Sequence, residues 1–558
     1  MPNERPAGIQ SQPGGLEPRL IDAMMRPEFY PDHPAQIEAK QTHMSYVFLA
    51  GEYVYKIKKP VRFDFADCST LAIRYELCRE EVRLNRRLAP EVYLGVVPIL
   101  GDDARFVLGE EGRDFNPHAH EYAIRMRRLP DDQMLDRLVS TGKADAAVVD
   151  VIAKKLAGFH RTASTAGGLR YGSATSIWRL VLGNLDESER FVSNTVTKSQ
   201  FSVIEDYLKS FIGAHWQLLN NRVRAGRVRE GHGDLKCEHV CLSDGIQIFD
   251  CLEFSERLRY GDVASDIAFL AMDLDALGAA HLADELIDCY AKVTGDEMVA
   301  TLATFYKCHR ACVRGKVESL KSIEDEVPSS QREQAHDRAR ASFSLAFRYA
   351  LRGRPALVIV CGLVGTGKST VSRRLSYRTG FEVLSSDRIR KRLAGLSETA
   401  RAGGAYGAGI YSLSFDRLTY DTLLAEAHER LRDGCGVIID ATFKIPEDRR
   451  AALAVGARIG IPVLFVECQA NEREILRRLH ERTKKGDGVS DATAEVYLSQ
   501  RTDFVPITEV RTGHHLLVDT GEDGERVLEW IEGSLRSLFQ TGVGQVGKQL
   551  VSGGRNES

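Results

Sequence analysis

The sequence predicts two domains, an α+β domain followed by an α/β domain with a parallel sheet. The chain has 558 residues, 43% hydrophobic and 27% charged, which is typical of a globular chain with more than one domain. Strand patterns precede helical patterns in the first half, whereas short apolar strands alternate with helices in the second half. We place the domains at residues 41–345 and 346–540. Residues 1–40 and 541–558 are expected to be a flexible arm and a flexible tail; residues 1–20 in particular are rich in Pro, Gly and Gln.

The first domain is expected to open with a β-hairpin. Apolar residues of high strand propensity flank Gly51, and a charged helix is predicted over Ala72–Leu88. After Leu129-Pro130, helical periodicity dominates to about residue 225, and a short β region then interrupts the helices. The strand candidates are Tyr46–Leu49, Tyr53–Ile57, Tyr122–Met126, Val240–Leu242 and Ile246–Phe249.

The second domain opens with a phosphate-binding pattern. Residues 362–369 fit GxxxxGK[ST], between a buried-strand pattern at 356–361 and a helical pattern from Val371. The loop N–H groups can face phosphates at the helix N-terminus, Lys368 can neutralise β/γ oxygens, and the Ser369 hydroxyl can coordinate Mg²⁺. The pattern predicts a nucleoside triphosphate site, and an ordinary glycine-rich turn is the alternative. The ATP-binding candidates of this loop are Gly362, Gly365, Thr366, Gly367, Lys368, Ser369 and Thr370.

Further strand patterns follow in this domain. One runs over residues 382–387 and ends in Asp387, another runs over 436–440 and ends in Asp440, and a third covers Pro462–Val466. The repetition predicts a small parallel α/β domain.

These motifs resemble the P-loop kinase group that includes polynucleotide kinases, zeta-type toxins and gluconate kinases, over almost the whole domain. The resemblance implies that Asp387 is the general base for an acceptor hydroxyl and that Arg390 binds an acidic acceptor or the transferring phosphate. It also implies that Asp440 holds the hydration shell of Mg²⁺, with Thr442 in the same region. The alternatives are a helix-capping Asp387 before a solvated basic face, and an Asp440 that only ends a strand.

Several arginines recur at helical spacing where such kinases carry a lid over the phosphates. They are Arg473, Arg477, Arg478 and Arg482. Because a basic helical face is commonly just solvated, both interpretations stay open.

A second constellation lies in the first domain. His232-Gly233-Asp234 is followed by Asp250 at the end of a strand pattern and by Asp266. With the early Val54-Tyr55-Lys56, this resembles the aminoglycoside phosphotransferase branch of the two-lobed protein-kinase-like fold, over roughly residues 40–345. The resemblance implies that Asp234 orients the acceptor hydroxyl and that Asp250 binds the metal, whereas Asp266 is assigned a structural role.

The same resemblance implies that Lys56 holds the α/β-phosphates and that Glu81 holds Lys56 through an ion pair. Residues 125–129 would then lie near the hinge where adenine binds. Lys58 and Lys59 compete with Lys56 for this role, and Glu80 competes with Glu81. Solvated charge on a strand edge and a helix face is the remaining alternative.

His239 departs from the family pattern, which has an Asn that binds the second Mg²⁺ five residues after the catalytic Asp. Imidazole binds metal only when neutral and prefers softer ions than Mg²⁺. An active kinase-like domain and a domain that only binds nucleotide therefore both stay open.

Charge balance, cysteine spacing and hydropathy further limit the functions and cellular locations that we expect. The chain carries 75 basic and 78 acidic residues, its eleven cysteines lack CxxC spacing, and it has no long apolar span. We therefore expect a cytoplasmic, ATP- and Mg²⁺-dependent phosphotransferase that acts on a hydroxyl of a small molecule and does not bind membranes. One rival is a regulatory ATP-binding protein; another is a kinase for 5′-hydroxyl ends of nucleic acid, supported by the basic run 388–392 but disfavoured by the net charge of −3. The sequence does not specify an acceptor or an oligomeric state.

Overall fold

A computed structural model shows that the chain divides into two compact units. One unit comprises residues 1–187 and 208–336, and the other comprises residues 188–207 and 337–558. The structure describes residues 17–42, 44–63, 66–101, 105–112, 114–325, 327–397, 409–485 and 493–552. The domain boundaries at 345 and 346 stay a prediction.

The first unit contains one large sheet, small two-stranded ladders and many helices. Its strands are β1 (Ile37–Gln41), β2 (Ser45–Ala50), β3 (Tyr53–Lys58), β4 (Arg62–Phe63), β5 (Ala66–Asp67), β6 (Tyr93–Gly101), β7 (Phe106–Leu108), β8 (Glu121–Arg127), β9 (Val228–Glu230), β10 (Val240–Cys241), β11 (Gln247–Ile248) and β12 (Tyr260–Asp262). Its helices are α1 (Pro18–Met24), α2 (Leu71–Asn85), α3 (Leu135–Ser140), α4 (Ala146–Thr162), α5 (Gly168–Tyr171), α6 (Ala174–Glu189), α7 (Lys198–Ala214), α8 (Trp216–Arg224), α9 (Glu256–Arg259), α10 (Val263–Ala276), α11 (Ala280–Thr294) and α12 (Met298–Ser322). The C-terminal end of α6 and the N-terminal part of α7 lie in the segment 188–207, which belongs to the second unit.

The large sheet is antiparallel, with strand order β1-β2-β3-β8-β6-β7. In the middle of it, Lys56 on β3 pairs with Val47 on β2 and Ile124 on β8. Because side chains alternate along a strand, Lys56 and Lys58 share one face. Tyr55 and Ile57 point to the opposite face, where they are buried. The sheet thus holds both lysines on one defined face.

The N-terminal segment is folded from α1 onward, so the expectation of a flexible arm over residues 1–40 is wrong for residues 18–40. Leu20, Met24, Phe29 and Tyr30 are buried in the same apolar cluster as Tyr55. The apolar side chains of the segment cover a sheet face that would otherwise be exposed, and this burial stabilises it. Residues 1–16 lie outside the described part of the chain.

The second unit is built on a parallel sheet with strand order β14-β15-β13-β16-β17. Its strands are β13 (Leu357–Cys361), β14 (Glu382–Ser385), β15 (Val437–Asp440), β16 (Val463–Gln469) and β17 (His515–Asp519). The helix α13 (Ser329–Leu351) leads into this unit, which contains α14 (Lys368–Thr379), α15 (Ser386–Leu393), α16 (Leu413–Arg432), α17 (Pro446–Ile459), α18 (Glu472–Lys485), α19 (Ala494–Asp503) and α20 (Gly524–Ser552). β13 is buried along its whole length, as its apolar sequence predicts.

These elements confirm the predicted fold class, α+β followed by α/β. The backbone is helical through Ser552, where the sequence predicted a flexible tail from residue 541. Among the helices of the described residues, none has the length and apolar character needed to cross a membrane.

Candidate active sites

Lys56, Glu81 and Asp250 lie together in the first unit. Lys56 Nζ is 2.8 Å from Glu81 Oε1 and 2.7 Å from Asp250 Oδ1. Glu81 is fully buried on α2, whose N-terminus is capped by the Thr70 side chain. Burial opposes the ionisation of Lys56, but the carboxylates of Asp250 and Glu81 hold its pKa well above the ordinary value. The structure therefore brings together the lysine, the helix glutamate and the metal-binding candidate.

Of the competing residues, Lys58 shares Glu81 with Lys56, whereas Lys59 and Glu80 have other partners. Lys58 Nζ is 2.7 Å from Glu81 Oε2 and also contacts Glu253, so Glu81 bridges two lysines. Lys59 Nζ lies 4.9 Å from the Tyr46 ring centroid. Glu80 pairs with Arg83 and Arg259 instead. Glu253 was missed by sequence reasoning, because only the folded chain places it beside Lys58.

His239 lies between Asp234 and Asp250. Its Nδ1 donates to the Asp234 backbone carbonyl at 2.8 Å, and its Nε2 is 3.4 Å from Asp250 Oδ2. Asp250 has a left-handed backbone (φ 62°), which Asp tolerates better than most residues. Burial favours the neutral acid, but Lys56 and His239 hold the pKa of Asp250 well below its usual range. His239 therefore lies beside an ionised carboxylate, at the position where the resemblance to the phosphotransferase family implies a metal-binding Asn.

Asp266 fixes the backbone of the catalytic-loop candidate, in keeping with its assigned structural role. Its carboxylate accepts the N–H groups of His232 at 2.7 Å and Gly233 at 3.0 Å. Burial lowers the pKa of His232 from 6.5 to about 4, so this imidazole is neutral at pH 7. The loop that presents Asp234 is thus held by buried hydrogen bonds.

Lys236 is a residue that sequence reasoning missed. Its Nζ lies 3.2 Å from Asp234 Oδ2 and 2.9 Å from Glu238 Oε1. An ammonium at this position, beside the carboxylate that is predicted to orient the acceptor, can neutralise charge on a transferring phosphate. The signal was present in the sequence, two residues after Asp234.

A groove of about 610 Å³ lies along the predicted hinge. It is lined by the turn 51–53 and by residues 127–131, which include Arg127 and Arg128 at the end of β8. Arg125 lies over the Tyr53 ring, 4.0 Å from its centroid. Of the predicted hinge residues, 125–127 are the last three residues of β8, and 128–129 follow the strand on the way to α3.

The phosphate-binding loop joins β13 to α14. Gly362 and Gly367 have positive φ angles of 122° and 91°. A Cβ at Gly362 would lie 2.4 Å from the Cys468 carbonyl oxygen, so only glycine fits there. Lys368 Nζ donates to the Leu363 carbonyl at 2.8 Å. The loop forms the strand–loop–helix arrangement that the pattern predicts.

Asp440 lies beside the first residues of α14. Its side chain is 8% exposed and hydrogen-bonds with the Ser369 side chain. It also interacts electrostatically with Lys368 and Asp387. Burial raises its pKa, and Lys368 and Ser369 oppose that rise. Because the strands are parallel, their carboxyl ends meet at one edge of the sheet and bring these groups together.

Asp387 and Arg390 form the acceptor-side candidate. The N-cap of α15 is Ser385, so Asp387 is not the capping residue. Arg390 is 7% exposed rather than part of a solvated face, and it lies 3.4 Å from Asp387 Oδ1 and contacts Asp416. Asp416 was missed, because its position on α16 follows a long connection without a sequence signal.

Of the arginines predicted to form a lid, Arg478 is linked to the loop through Thr520. Arg478 donates to the Thr520 side chain at 2.9 Å, and Thr520 donates to the Thr366 carbonyl at 2.7 Å. Arg477 pairs with Glu474 and Glu481 on an exposed helix face. Arg473 is exposed.

The donor atoms in the second unit fit Mg²⁺. Ser369 and Asp440 supply hard oxygen ligands, and Mg²⁺ commonly combines one or two such groups with nucleotide phosphates and water. No three His, Cys, Asp or Glu side chains in the described part of the chain gather closely enough to hold a metal on their own. Metal binding here would therefore depend on the nucleotide.

Two family models match the two units. Residues 51–299 match the model described as phosphotransferase enzyme family, and residues 357–507 match the model described as AAA domain. Fold and sites together define a chain in which a kinase-like phosphotransferase domain precedes a P-loop kinase domain.

Relatives share this two-domain span. Uncharacterized proteins of Mycobacterium bovis and Mycobacterium tuberculosis are 33% identical over 462 residues, which cover 82% of this chain and 88% of theirs. The chain belongs to the family of these mycobacterial proteins.

Solved structures resemble each part separately. An aminoglycoside 2′-phosphotransferase-IIIa in its GDP complex is 15% identical and covers 58% of this chain and 99% of its own, with a TM-score of 0.36. A gluconokinase from Sinorhizobium meliloti is 18% identical and covers 37% and 99%, with a TM-score of 0.23. At these levels neither likeness indicates a substrate for this chain.

Proposed function

We propose that the protein is an ATP-dependent phosphotransferase whose P-loop unit transfers the γ-phosphate to a hydroxyl of a small molecule. The main support for this proposal is that four side chains lie together at one edge of the parallel sheet. They are Lys368, Ser369, Asp387 and Asp440. Bound Mg²⁺ would neutralise phosphate charge. Asp387 takes the acceptor hydroxyl proton while the acceptor oxygen bonds to the γ-phosphorus, the bond from that phosphorus to the β-γ bridging oxygen breaks, and ADP leaves.

The buried basic side chains disfavour transfer to nucleic acid ends. Arg390 is 7% and Lys391 1% exposed, so only Arg388 and Arg392 of the basic run lie on the surface. A phosphate backbone is held mainly by accessible Lys and Arg side chains. A small acceptor therefore fits this site better.

The transfer assay uses the full chain with Asp234→Ala, so that only the P-loop unit can act. [γ-³²P]ATP is offered with sugars, aminoglycosides and 5′-hydroxyl oligonucleotides. Asp387→Asn should lower transfer by about 10²-fold or more while ATP affinity stays the same, because only a positioned base is lost. Asp421→Asn, an exposed site on α16, is the control. Transfer near the parental rate in Asp387→Asn would contradict the proposed role.

A second candidate concerns the kinase-like unit, which would bind nucleotide without transfer and serve as a regulatory module. The contact between His239 and Asp250 favours it, because an imidazole replaces an oxygen ligand at the metal position. ATP binding without transfer by a Lys368→Ala chain would support this function.

A further inference from the structure

One peptide group of the phosphate-binding loop is held from both ends. The Leu363 carbonyl accepts from Lys368 Nζ at 2.8 Å and from Thr366 Oγ1 at 2.7 Å. The N–H of the same peptide group, on Val364, donates to Gln500 Oε1 at 3.1 Å. Gln500 lies on α19, far from the loop in sequence. This peptide group therefore links the loop lysine to a side chain on another helix.

The same helix packs on the loop through apolar contacts. Val364, Ile475, Leu479 and Tyr497 form a small buried cluster with α18 and α19. A Cβ at Gly365 would lie 2.8 Å from Ile475 Cγ2, so the loop and α18 are in close contact. This packing places the Gln500 carboxamide at the loop independently of its single hydrogen bond.

A bound triphosphate would have its β/γ oxygens at Lys368, because the lysine of this loop pattern reaches them. Lys368 Nζ and the Gln500 side chain contact the two ends of one peptide group, so Gln500 lies close to the place where the terminal phosphate would bind. A carboxamide suits this position, because its oxygen accepts from Val364 while its NH₂ group can donate to a phosphate oxygen. Within the described residues, Gln500 Oε1 accepts from Val364 and Nε2 donates to no protein group.

We propose that Gln500 is a specificity-determining residue of the P-loop site, where its carboxamide contacts the terminal phosphate and favours ATP over ADP. The proposal rests on the proposed function of this unit. A carboxylate at position 500 would still accept from Val364 but would repel the γ-phosphate. Gln500→Glu therefore separates the two tasks of the side chain.

The test measures the affinities of the full chain for ADP and for the β,γ-imido analogue of ATP with Mg²⁺, by calorimetry, on the Asp234→Ala, Lys56→Ala background that removes the other site. Gln500→Glu should weaken analogue binding by about tenfold or more and ADP binding by less than about threefold. Gln500→Ala should show a smaller loss in the same direction. Ser499→Ala, on the same helix with its hydroxyl bonded to the Glu495 carbonyl, should change neither affinity.

Equal losses for both nucleotides would overturn the proposal, because Gln500 would then only hold the loop in place. Unchanged affinities in both Gln500 variants would also overturn it. If the parental chain binds ADP and the analogue, the proposed ATP site stands whatever the variants do. If it binds neither, the proposed function fails and this inference fails with it.

Discussion

At the residue scale, the kinase-like site depends on which groups carry charge. Lys56 is paired with the carboxylates of Glu81 and Asp250, and His239 faces Asp250 from the other side. A kinase site uses a lysine–glutamate ion pair and binds Mg²⁺ through an Asp and an Asn. The carboxylates of this site fit that arrangement, whereas the imidazole stands where the Asn is expected. Whether this unit transfers phosphate therefore depends on whether a metal can bind beside His239.

Replacing that imidazole tests whether the unit is active. If the unit is active, Asp234→Ala on a Lys368→Ala background should remove transfer, and His239→Asn should preserve or raise it with Mg²⁺, because an amide oxygen is a harder ligand than imidazole. If the unit only binds nucleotide, the Lys368→Ala chain will transfer nothing, and His239→Asn alone will not restore transfer. The measurement is [γ-³²P]ATP transfer by the full chain, with the exposed His281→Asn as control. Mg²⁺-dependent transfer that survives Asp234→Ala would show that another residue orients the acceptor.

Two buried histidines make stability depend on pH. Burial lowers the pKa of His232 to about 4 and that of His309 to about 3, and His309 Nε2 has no hydrogen-bond partner within the described structure. Below pH 6.5 these histidines bind protons in the unfolded chain but stay neutral in the folded chain. The free energy of unfolding therefore falls as the pH drops toward the two lowered pKa values. His309→Gln should flatten the decline of the melting temperature between pH 6.5 and 4.5, measured by calorimetry. An unchanged slope would contradict the lowered pKa of His309.

At the element scale, α1 is part of the core rather than of a flexible arm. Leu20 is fully buried, whereas Asp22 on the same helix is exposed. The apolar positions of this short helix all contact one sheet face, and its Pro18 at the first turn suits a helix start. The stability of the sheet therefore includes a contribution from the N-terminal segment.

Truncating this contact should be costly. Leu20→Ala should lower the free energy of unfolding of the first unit by about 2–4 kcal/mol, because it leaves a cavity in the core. Urea denaturation of the full chain, followed by hydrogen exchange of the large sheet, measures the loss. Asp22→Ala should change stability by less than about 0.5 kcal/mol. If both variants unfold alike, α1 does not support the sheet.

At the scale of the whole molecule, the second unit takes a segment from the first half of the chain. Residues 188–207 belong to it, and Glu532 on α20 is fully buried against them. Its carboxylate accepts from Thr197, from Gln200 and from Arg378 at 3.0 Å. The P-loop unit is therefore not a simple C-terminal piece of the chain.

Glu532→Gln should destabilise the second unit by about 1–3 kcal/mol, because it removes one of the two carboxylates that pair with the buried Arg378 and leaves only Glu525. The expected result is a lower melting temperature for the transition of this unit, with the large sheet of the first unit unaffected in hydrogen exchange. Glu529→Gln, an exposed position on the same helix, is the control. Equal melting temperatures for the two variants would show that the buried pair contributes nothing.

The sequence alone determined the two-domain fold class, the phosphate-binding loop and the identities of Lys56, Asp234, Asp387 and Asp440 as candidates. These follow from local patterns, because strand periodicity, glycine spacing and strand-end carboxylates are readable over a few residues. Contacts between distant segments decided the rest. Glu253, Asp416 and Gln500 reach their sites only through tertiary packing. For the same reason the sequence placed residues 18–40 in a flexible arm and residues 188–207 in the first domain, whereas the structure packs the former on the sheet and includes the latter in the second unit. Burial and charge pairing depend on which surfaces meet, and one sequence position carries no record of its spatial neighbours.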